Sequence, residues 1–380
     1  MASQDGGEQA TGKVWTQEMV EVDGRVHEGG GQVVRVALAL AAAAGKSVAV
    51  SHIRANRKPP GMRPQHLLGA RLVASISSAS LKGDEKKSER LELIHPKGIR
   101  GGLQQCYAET AASCALFAQC AVPPLLVAHT TSQVELTGGT DVPMAPSIDY
   151  LAHVFAPALN RCMESGGAKL NVECTRRGFN PQGGGKVTLY VTPIAKNVVD
   201  PFDCVYFGKL QRFQLYTFGP KEAARIAAHS AKQCIAERLQ VEVCCTTDKK
   251  YEQNEQGGLL VSAVSDEGWV LGVCTPLLST KKASEAAQAG REAALEVLTL
   301  LKRRGCTDSH LQDQLLVFMA MAEGTSRLGS CCAPTAHALA VMYVAEQVVG
   351  ARFVVREPST DTEPWIITCH GAGLKSSLLQ

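Results

Sequence analysis

Glu28-Gly-Gly-Gly-Gln32-Val-Val-Arg35-Val-Ala-Leu-Ala-Leu-Ala-Ala-Ala-Ala44, followed by Ser47-Val-Ala-Val-Ser-His-Ile53, is the stretch that sets the architecture. The apolar positions over residues 29–44 suit a helix, and residues 47–53 read as a strand. A Pro/Gly loop over 58–64 leads to a second helix from Gln65 to about Ser75, then to a hairpin around Gly83. The succession returns as a helix over 110–120, a strand over 133–137, a loop over 138–146 and a helix over 147–162. It returns again as a helix over 311–321, a short strand after Gly324, a loop over 330–334, a helix over 335–349 and a closing strand over 352–356. Helix, strand, loop, helix, strand, three times over, predicts a repeated α/β unit.

Residues 194–305 break that rhythm. They predict strands over 205–209, 240–245, 258–265 and 269–274, helices over 220–237 and 283–303, and a hairpin loop over the polar run 246–257. This segment reads as a smaller inserted α/β domain. The expected organisation is a disordered tail over 1–17, a large repeat domain over 18–193 and 306–380, and the insert between its two parts.

Composition sets limits without naming a function. The chain has 380 residues, 45% of them hydrophobic and 20% charged, which are globular values. A net charge of +3 announces no nucleic-acid binder, so an anionic ligand has to be met by local arginine and lysine clusters. The 14 cysteines form no Cys-x-x-Cys pair, which argues against zinc and for small core thiols in a reducing compartment. No signal-peptide pattern and no bilayer-length apolar stretch is present, so no membrane is expected.

Several residues are suited to chemistry. Glycines 29–31 at a helix start let an anion approach backbone N–H groups at the positive helix end, although a bare Gly-Gly-Gly equally reads as a tight turn. Gly45-Lys46-Ser47 imitates the end of a phosphate-binding loop, but Leu40 stands where that loop needs glycine. Arg54 and Arg57, three apart after a strand, can grip phosphates through paired hydrogen bonds, or can be ordinary surface arginines. Gln65 and His66 open the next helix, and Arg35 lies one turn beyond Gln32, so both can face one cleft. His337 follows Ala333-Pro334 in the first turn of its helix, as a cap or core residue often does. A nucleophilic role needs the neutral ring with one nitrogen free and the other held by a partner.

Taken together, residues 28–67, 138–150, 176–185 and 310–327 resemble the RNA 3'-terminal phosphate cyclase family, and the likeness runs from Val20 to about Leu374. The resemblance implies an α/β (α+β) fold: a large domain of three repeated units with a smaller, thioredoxin-like insert. It implies that His337 is the nucleophile that accepts AMP, and that Gln119, Pro146, His310, Asp313 and Gln314 hold the nucleotide. Glu28, Gln32, Arg35, Arg54, Arg57, Gln65 and His66 match polar positions of the family's cleft, with Glu28 also a metal-ligand candidate. The family commonly has tyrosine where this chain has His310.

The activity so implied is ATP-dependent, converting an RNA 3'-terminal phosphate to a 2',3'-cyclic phosphodiester through a histidine–AMP intermediate and an RNA-adenylate. ATP and a divalent cation, Mg2+, are the expected cofactors, and RNA 3'-phosphate ends rather than DNA the expected partner. No protein partner is indicated. Likeness to eukaryotic members favours a nuclear location (nucleoplasm) over a cytoplasmic one. The rival reading is a non-catalytic, cyclase-like ribosome-assembly factor that binds pre-ribosomal RNA, a branch of the family that lacks the nucleophilic histidine. Aromatic content of 5% leaves little for base-stacking platforms, so terminal, sequence-independent RNA recognition is expected.

Overall fold

A computed structural model describes residues 19–279 and 282–375; the tail predicted over 1–17 lies outside the described residues. The first repeat runs β1 (Val20–Asp23), α1 (Gly31–Ala43), β2 (Val48–Ser51), α2 (Pro64–Ser77), β3 (Ser80–Lys82) and β4 (Leu91–Ile94). Its sheet has the order β1-β2-β4-β3, with β1 parallel to β2 and the other pairs antiparallel.

The second repeat has the same plan. It comprises β5 (Gly102–Tyr107), α3 (Cys114–Leu126), β6 (Ser132–Gly138), α4 (Ile148–Tyr150), α5 (Ala156–Cys162), β7 (Lys169–Arg176) and β8 (Gly185–Thr192). A π-helical turn, Leu151–Phe155, joins α4 to α5. The sheet order is β5-β6-β8-β7, again with only the first pair parallel.

The third repeat opens with β9 (Asp203–Cys204), after which the chain departs. The departing segment comprises β10 (Leu210–Phe218), α6 (Lys221–Ala236), β11 (Glu242–Asp248), β12 (Gln256–Ser265), β13 (Val270–Leu278) and α7 (Ala283–Lys302). The repeat then resumes with α8 (Ser309–Met321), β14 (Glu323–Ser330), α9 (Ala336–Val349), β15 (Arg352–Arg356) and β16 (Trp365–Ala372). β9 pairs parallel with β14, and the order β9-β14-β16-β15 copies the other two repeats. Each repeat is therefore β-α-β-α-β-β. The unit gains a leading strand that the sequence pattern did not reveal, and β9 itself falls inside the stretch 194–305.

In the insert the order is β11-β10-β12-β13: α6 crosses between parallel β10 and β11, and β12 and β13 add antiparallel on the other side. This is a thioredoxin-like arrangement. Two expectations change here. Residues 205–209 make no strand, because Gly208 takes a left-handed φ of +86° and breaks the extended run; β10 follows it. Residues 246–257 are not a hairpin loop either, since β11 and β12 flank β10 and never pair.

α1 explains how the repeats hold one another. It packs against α2, α3 and α9, and its apolar residues from Val33 to Ala43 are buried on every side, as a helix apolar all round must be. Its two polar side chains, Gln32 and Arg35, lie near the glycine-bearing end. α3 runs further than predicted, through Pro123 and Pro124 in its last turns. Pro123 has no N–H to give the Gln119 carbonyl four residues back, which a helix tolerates near its end. Among the described residues no helix is long and apolar enough to cross a membrane.

Candidate active site

The first turn of α9 carries His337. Thr335 caps the helix by accepting from the Ala338 N–H at 3.0 Å. The Thr335 N–H in turn donates to Gln312 Oε1 at 3.0 Å, while Gln312 Nε2 donates to the Ser330 hydroxyl at 2.7 Å. Gln312 is fully buried, so it pins the start of α9 to α8 and to the end of β14. The sequence reading picked out its neighbours Asp313 and Gln314 and passed over Gln312.

The His337 ring is half exposed, and its Nε2 lies 3.2 Å from Glu28 Oε2. The same Glu28 oxygen accepts from Arg57 Nη2 at 3.3 Å. The partner of His337 that the sequence left unnamed is therefore Glu28. Burial is the largest influence on His337 and pulls its pKa below the usual histidine value; Glu28 opposes this, while Arg35, His310 and Arg57 reinforce it. A ring so shifted is mainly neutral at neutral pH, and a neutral imidazole keeps a lone pair on one of its nitrogens.

Glycine shapes the mouth of the cleft. A Cβ on Gly30 would lie 1.9 Å from Glu28 Oε1, and one on Gly31 would lie 2.4 Å from His66 Nε2. Side chains at these positions would displace the Glu28 carboxylate and the His66 imidazole. The room left by Gly30 and Gly31 is taken up by these two side chains of the protein itself.

Behind this mouth, Gln32 Nε2 donates to Asp313 Oδ2 at 2.8 Å, and Arg35 donates to Gln32 Oε1. Burial raises the Asp313 carboxyl to about 7, against the pull of Arg35. Burial likewise lowers the Arg35 guanidinium, whose Nε has no hydrogen-bond partner. Gln119 and Gln314 line a narrow cavity with Gln32 and Asp313, backed by Phe155 and Phe318. Gln314 donates to the His310 carbonyl at 2.9 Å, and its buried Oε1 has no partner. An unpaired buried acceptor costs free energy that an incoming donor can recover.

His66 sits on the other side of α1. Its Nδ1 accepts from the Arg63 N–H at 3.2 Å, so Nε2 carries the ring proton. Burial, then Arg35, Arg54 and Arg63, depress its pKa to about 3. His66 is a neutral hydrogen-bond donor throughout the physiological range. It is not a base.

Three of the sequence-selected residues are placed differently. Arg54 has a left-handed φ of 55° and folds back so that Nη1 donates to the Pro59 and Gly61 carbonyls, at 2.9 and 3.1 Å, bracing its own loop. Gln65 turns toward α3, its Oε1 accepting from the Ser113 N–H at 2.8 Å. Pro146 lies in the loop just before α4. It comes near the histidine cluster through Tyr150, whose ring meets the His310 imidazole edge-on at 5.8 Å.

A cavity of about 600 Å³ opens between the loop after β6 and strands β12 and β13, with Asp141, Ser147, Phe218 and Cys274 in its wall. Arg177, which the sequence did not single out, binds Asp149 at 2.8 Å and Asp141 at 3.3 Å and stacks over the Phe218 ring at 3.5 Å, holding the insert to the second repeat.

Three β-α-β-α-β-β repeats, a thioredoxin-like insert and an arginine-lined cleft around a histidine define an α/β repeat protein with a polar cleft between its first and third repeats. The family model for RNA 3'-terminal phosphate cyclase matches residues 26–355. An RNA 3'-terminal phosphate cyclase of Pyrobaculum aerophilum is 35% identical over 345 residues, covering 89% of this chain and 95% of its own. Its counterpart from Drosophila melanogaster is 31% identical over 374 residues, with coverage of 96% and 99%. The Pyrococcus furiosus protein of that name is 33% identical over 347 residues, with coverage of 89% and 95%. The chain belongs to the RNA 3'-terminal phosphate cyclase family.

Proposed function

We propose that this chain uses ATP to convert an RNA 3'-terminal phosphate to a 2',3'-cyclic phosphodiester, with His337 as the nucleophile. The observation that carries the reading is the position of His337: a neutral imidazole, half exposed, oriented by Glu28 in a cleft that also holds Arg57, Arg35 and Asp313.

The unprotonated ring nitrogen of His337 attacks the α-phosphorus of ATP. The bond to the bridging oxygen breaks and pyrophosphate leaves, giving a phosphoramidate-linked AMP. An oxygen of the RNA 3'-phosphate then attacks that phosphorus, the P–N bond breaks, and an RNA-adenylate forms. Finally the neighbouring 2'-hydroxyl attacks the 3'-phosphorus and AMP departs with the electron pair. The hydroxyl proton passes to solvent or to the departing phosphate. Closing a five-membered ring is intramolecular, so correct placement of the two groups supplies much of the acceleration.

Gln119, Pro146, His310, Asp313 and Gln314 are assigned to the nucleotide. The unpaired Gln314 Oε1 suits a base amino group. Arg57, at the mouth, and Arg35, behind it, are assigned to phosphate oxygens, with the His66 Nε2–H as an uncharged donor beside them. Gln32 orients Arg35, Arg54 holds the loop that presents Arg57, and Gln65 fixes α2 to α3. Among the described residues no three His, Cys, Asp or Glu side chains group to hold a metal. Magnesium keeps few protein ligands and takes mostly water and phosphate oxygens. Glu28 together with a bound triphosphate fits that pattern, and the ion would neutralise charge on the departing pyrophosphate. A nucleoplasmic location belongs to the same proposal and is checked by imaging a tagged chain.

The test is incubation with magnesium and ATP labelled at the α-phosphate, followed by denaturing electrophoresis beside His337→Ala. Covalent label that is released by acid but not alkali, and that is missing from the variant, is the expected result. A folded wild-type protein that binds ATP or RNA and takes no label would overturn the catalytic reading in favour of the assembly factor.

A further inference from the structure

Asp308 is buried just ahead of α8, and its two carboxylate oxygens accept four hydrogen bonds. Oδ1 takes the backbone N–H groups of His310 and Leu311, each at 2.9 Å, and so caps the helix. It also takes the Tyr150 hydroxyl at 2.5 Å. Oδ2 takes the N–H of Gly272, on β13 of the insert, at 3.0 Å. Two of these donors belong to the helix itself. The other two come from the second repeat and from the insert, and neither is needed for capping.

Tyr150, the last residue of α4, lies just after the Pro146 loop and is wholly buried. Burial first, and then the neighbouring Asp308 charge, push its hydroxyl well above the usual phenol range, so it remains a donor. Its ring stands edge-on to the His310 imidazole, with an interplanar angle of 81°. Gly272 lets the insert come this close, because a Cβ there would lie 2.6 Å from the Val154 side chain.

We infer that Asp308 and Tyr150 are positioning residues for the nucleotide: they set the α8 face bearing His310, Asp313 and Gln314 against the Pro146 loop, and Gly272 ties the insert into the same setting. Neither residue touches the ligand. They act through His310 and through the direction of α8. The inference rests on the nucleotide assignment made above for these residues.

The chemistry separates this role from helix capping. Asparagine caps a helix as well as aspartate does. Yet Asp308→Asn keeps the cap only with its amide oxygen at the Oδ1 position, which puts the NH2 group at the Oδ2 position, facing the Gly272 N–H. Tyr150→Phe keeps the ring and its contact with His310 and removes a single hydrogen bond to a carboxylate, so it leaves the cap untouched.

The experiment compares wild type, Tyr150→Phe and Asp308→Asn in ATP binding by calorimetry, in formation of the covalent label, and in cyclisation of a preformed RNA-adenylate that bypasses ATP. ATP affinity is expected to fall roughly tenfold or more in both variants, as loss of a hydrogen bond to a charged group implies. Cyclisation of the preformed adenylate, which carries the same AMP, is expected to need more substrate for half its maximal rate but to stay within about twofold of wild type at saturation. The double variant Tyr150→Phe/His310→Ala is expected to lose less ATP affinity than the two single losses added together. Unchanged ATP affinity in folded Tyr150→Phe, or equal losses in all three measurements, overturns the inference and leaves the function standing. If Asp308→Asn does not fold, Tyr150→Phe alone decides. A folded wild type that neither binds ATP nor takes label overturns both.

Discussion

The Glu28 carboxylate lies 3.2 Å from Nε2 of His337, joining the loop before the first helix to the helix near the chain's end. Adenylylation needs the neutral ring, so its rate falls as pH drops through the His337 pKa, which already lies below the usual histidine value. Glu28 favours the charged ring. Removing its charge in Glu28→Gln lowers that pKa further and moves the acid limb of the pH–rate profile to lower pH, while the maximal rate drops by about a hundredfold as the ring loses its orientation. A limb displaced to higher pH would contradict the pairing.

Gly30→Ala tests the same contact without altering a charge. Gly30 has φ −104° and ψ −160°, a conformation open to alanine, so the backbone tolerates the change. The new methyl must evict Glu28 Oε1. Thermal unfolding is expected within a few degrees of wild type, with adenylylation reduced by on the order of tenfold or more. A large loss of stability would mean that the backbone, not Glu28, needs the glycine.

Arg54 and Arg57 look equivalent in the sequence, and the structure separates them. Arg54 spends its Nη1 on the Pro59 and Gly61 carbonyls, whereas Arg57 reaches Glu28 and remains partly exposed. Arg57→Ala is expected to keep the fold and to slow transfer to RNA by about a hundredfold. Arg54→Ala is expected to make the 54–61 loop readily cleaved by protease, with activity falling as a consequence. Equal protease sensitivity in the two variants would erase the distinction.

The difference between those arginines shows what local sequence carries. α1 was legible because an apolar run of that length buries itself on all sides. β1, β5 and β9 were not: four residues, a strand mixing Gln104 and Gln105 with Leu103, and two residues give a period-two pattern too little length. The site was legible as residue types with family spacing. Its connections were not, because Glu28–His337, Gln32–Asp313 and Tyr150–Asp308 each join elements far apart in the chain. Asp308 could be found as a cap from the Asp-Ser-His-Leu order; its bonds to Tyr150 and Gly272 exist only once the second repeat and the insert are folded against the start of α8.

His66 is held with Nδ1 accepting from the backbone and Nε2 protonated. Gln places an NH2 group near the position of Nε2, so His66→Gln is expected to retain most activity and His66→Ala to lose it. Nitrogen chemical shifts of the ring are expected to show one Nε2–H tautomer from about pH 5 to pH 8. A titration within that range would make His66 a proton carrier and refute its role as a fixed donor.

Asp313 yields a stability prediction of unusual sign. Burial lifts its folded-state pKa to about 7, well above the roughly 3.9 of an unfolded chain. Between those values the folded state binds a proton that the unfolded state has released, so this residue's contribution to stability is fully present below about pH 4 and is lost as pH rises toward 7. Asp313→Asn stays uncharged and can still accept from Gln32. Urea unfolding of wild type and variant at pH 5 and pH 8 is expected to show the variant gaining on wild type at the higher pH. A stability difference that does not change with pH would mean that Asp313 is already ionised at pH 5, with Arg35 compensating its charge more completely than the burial allows.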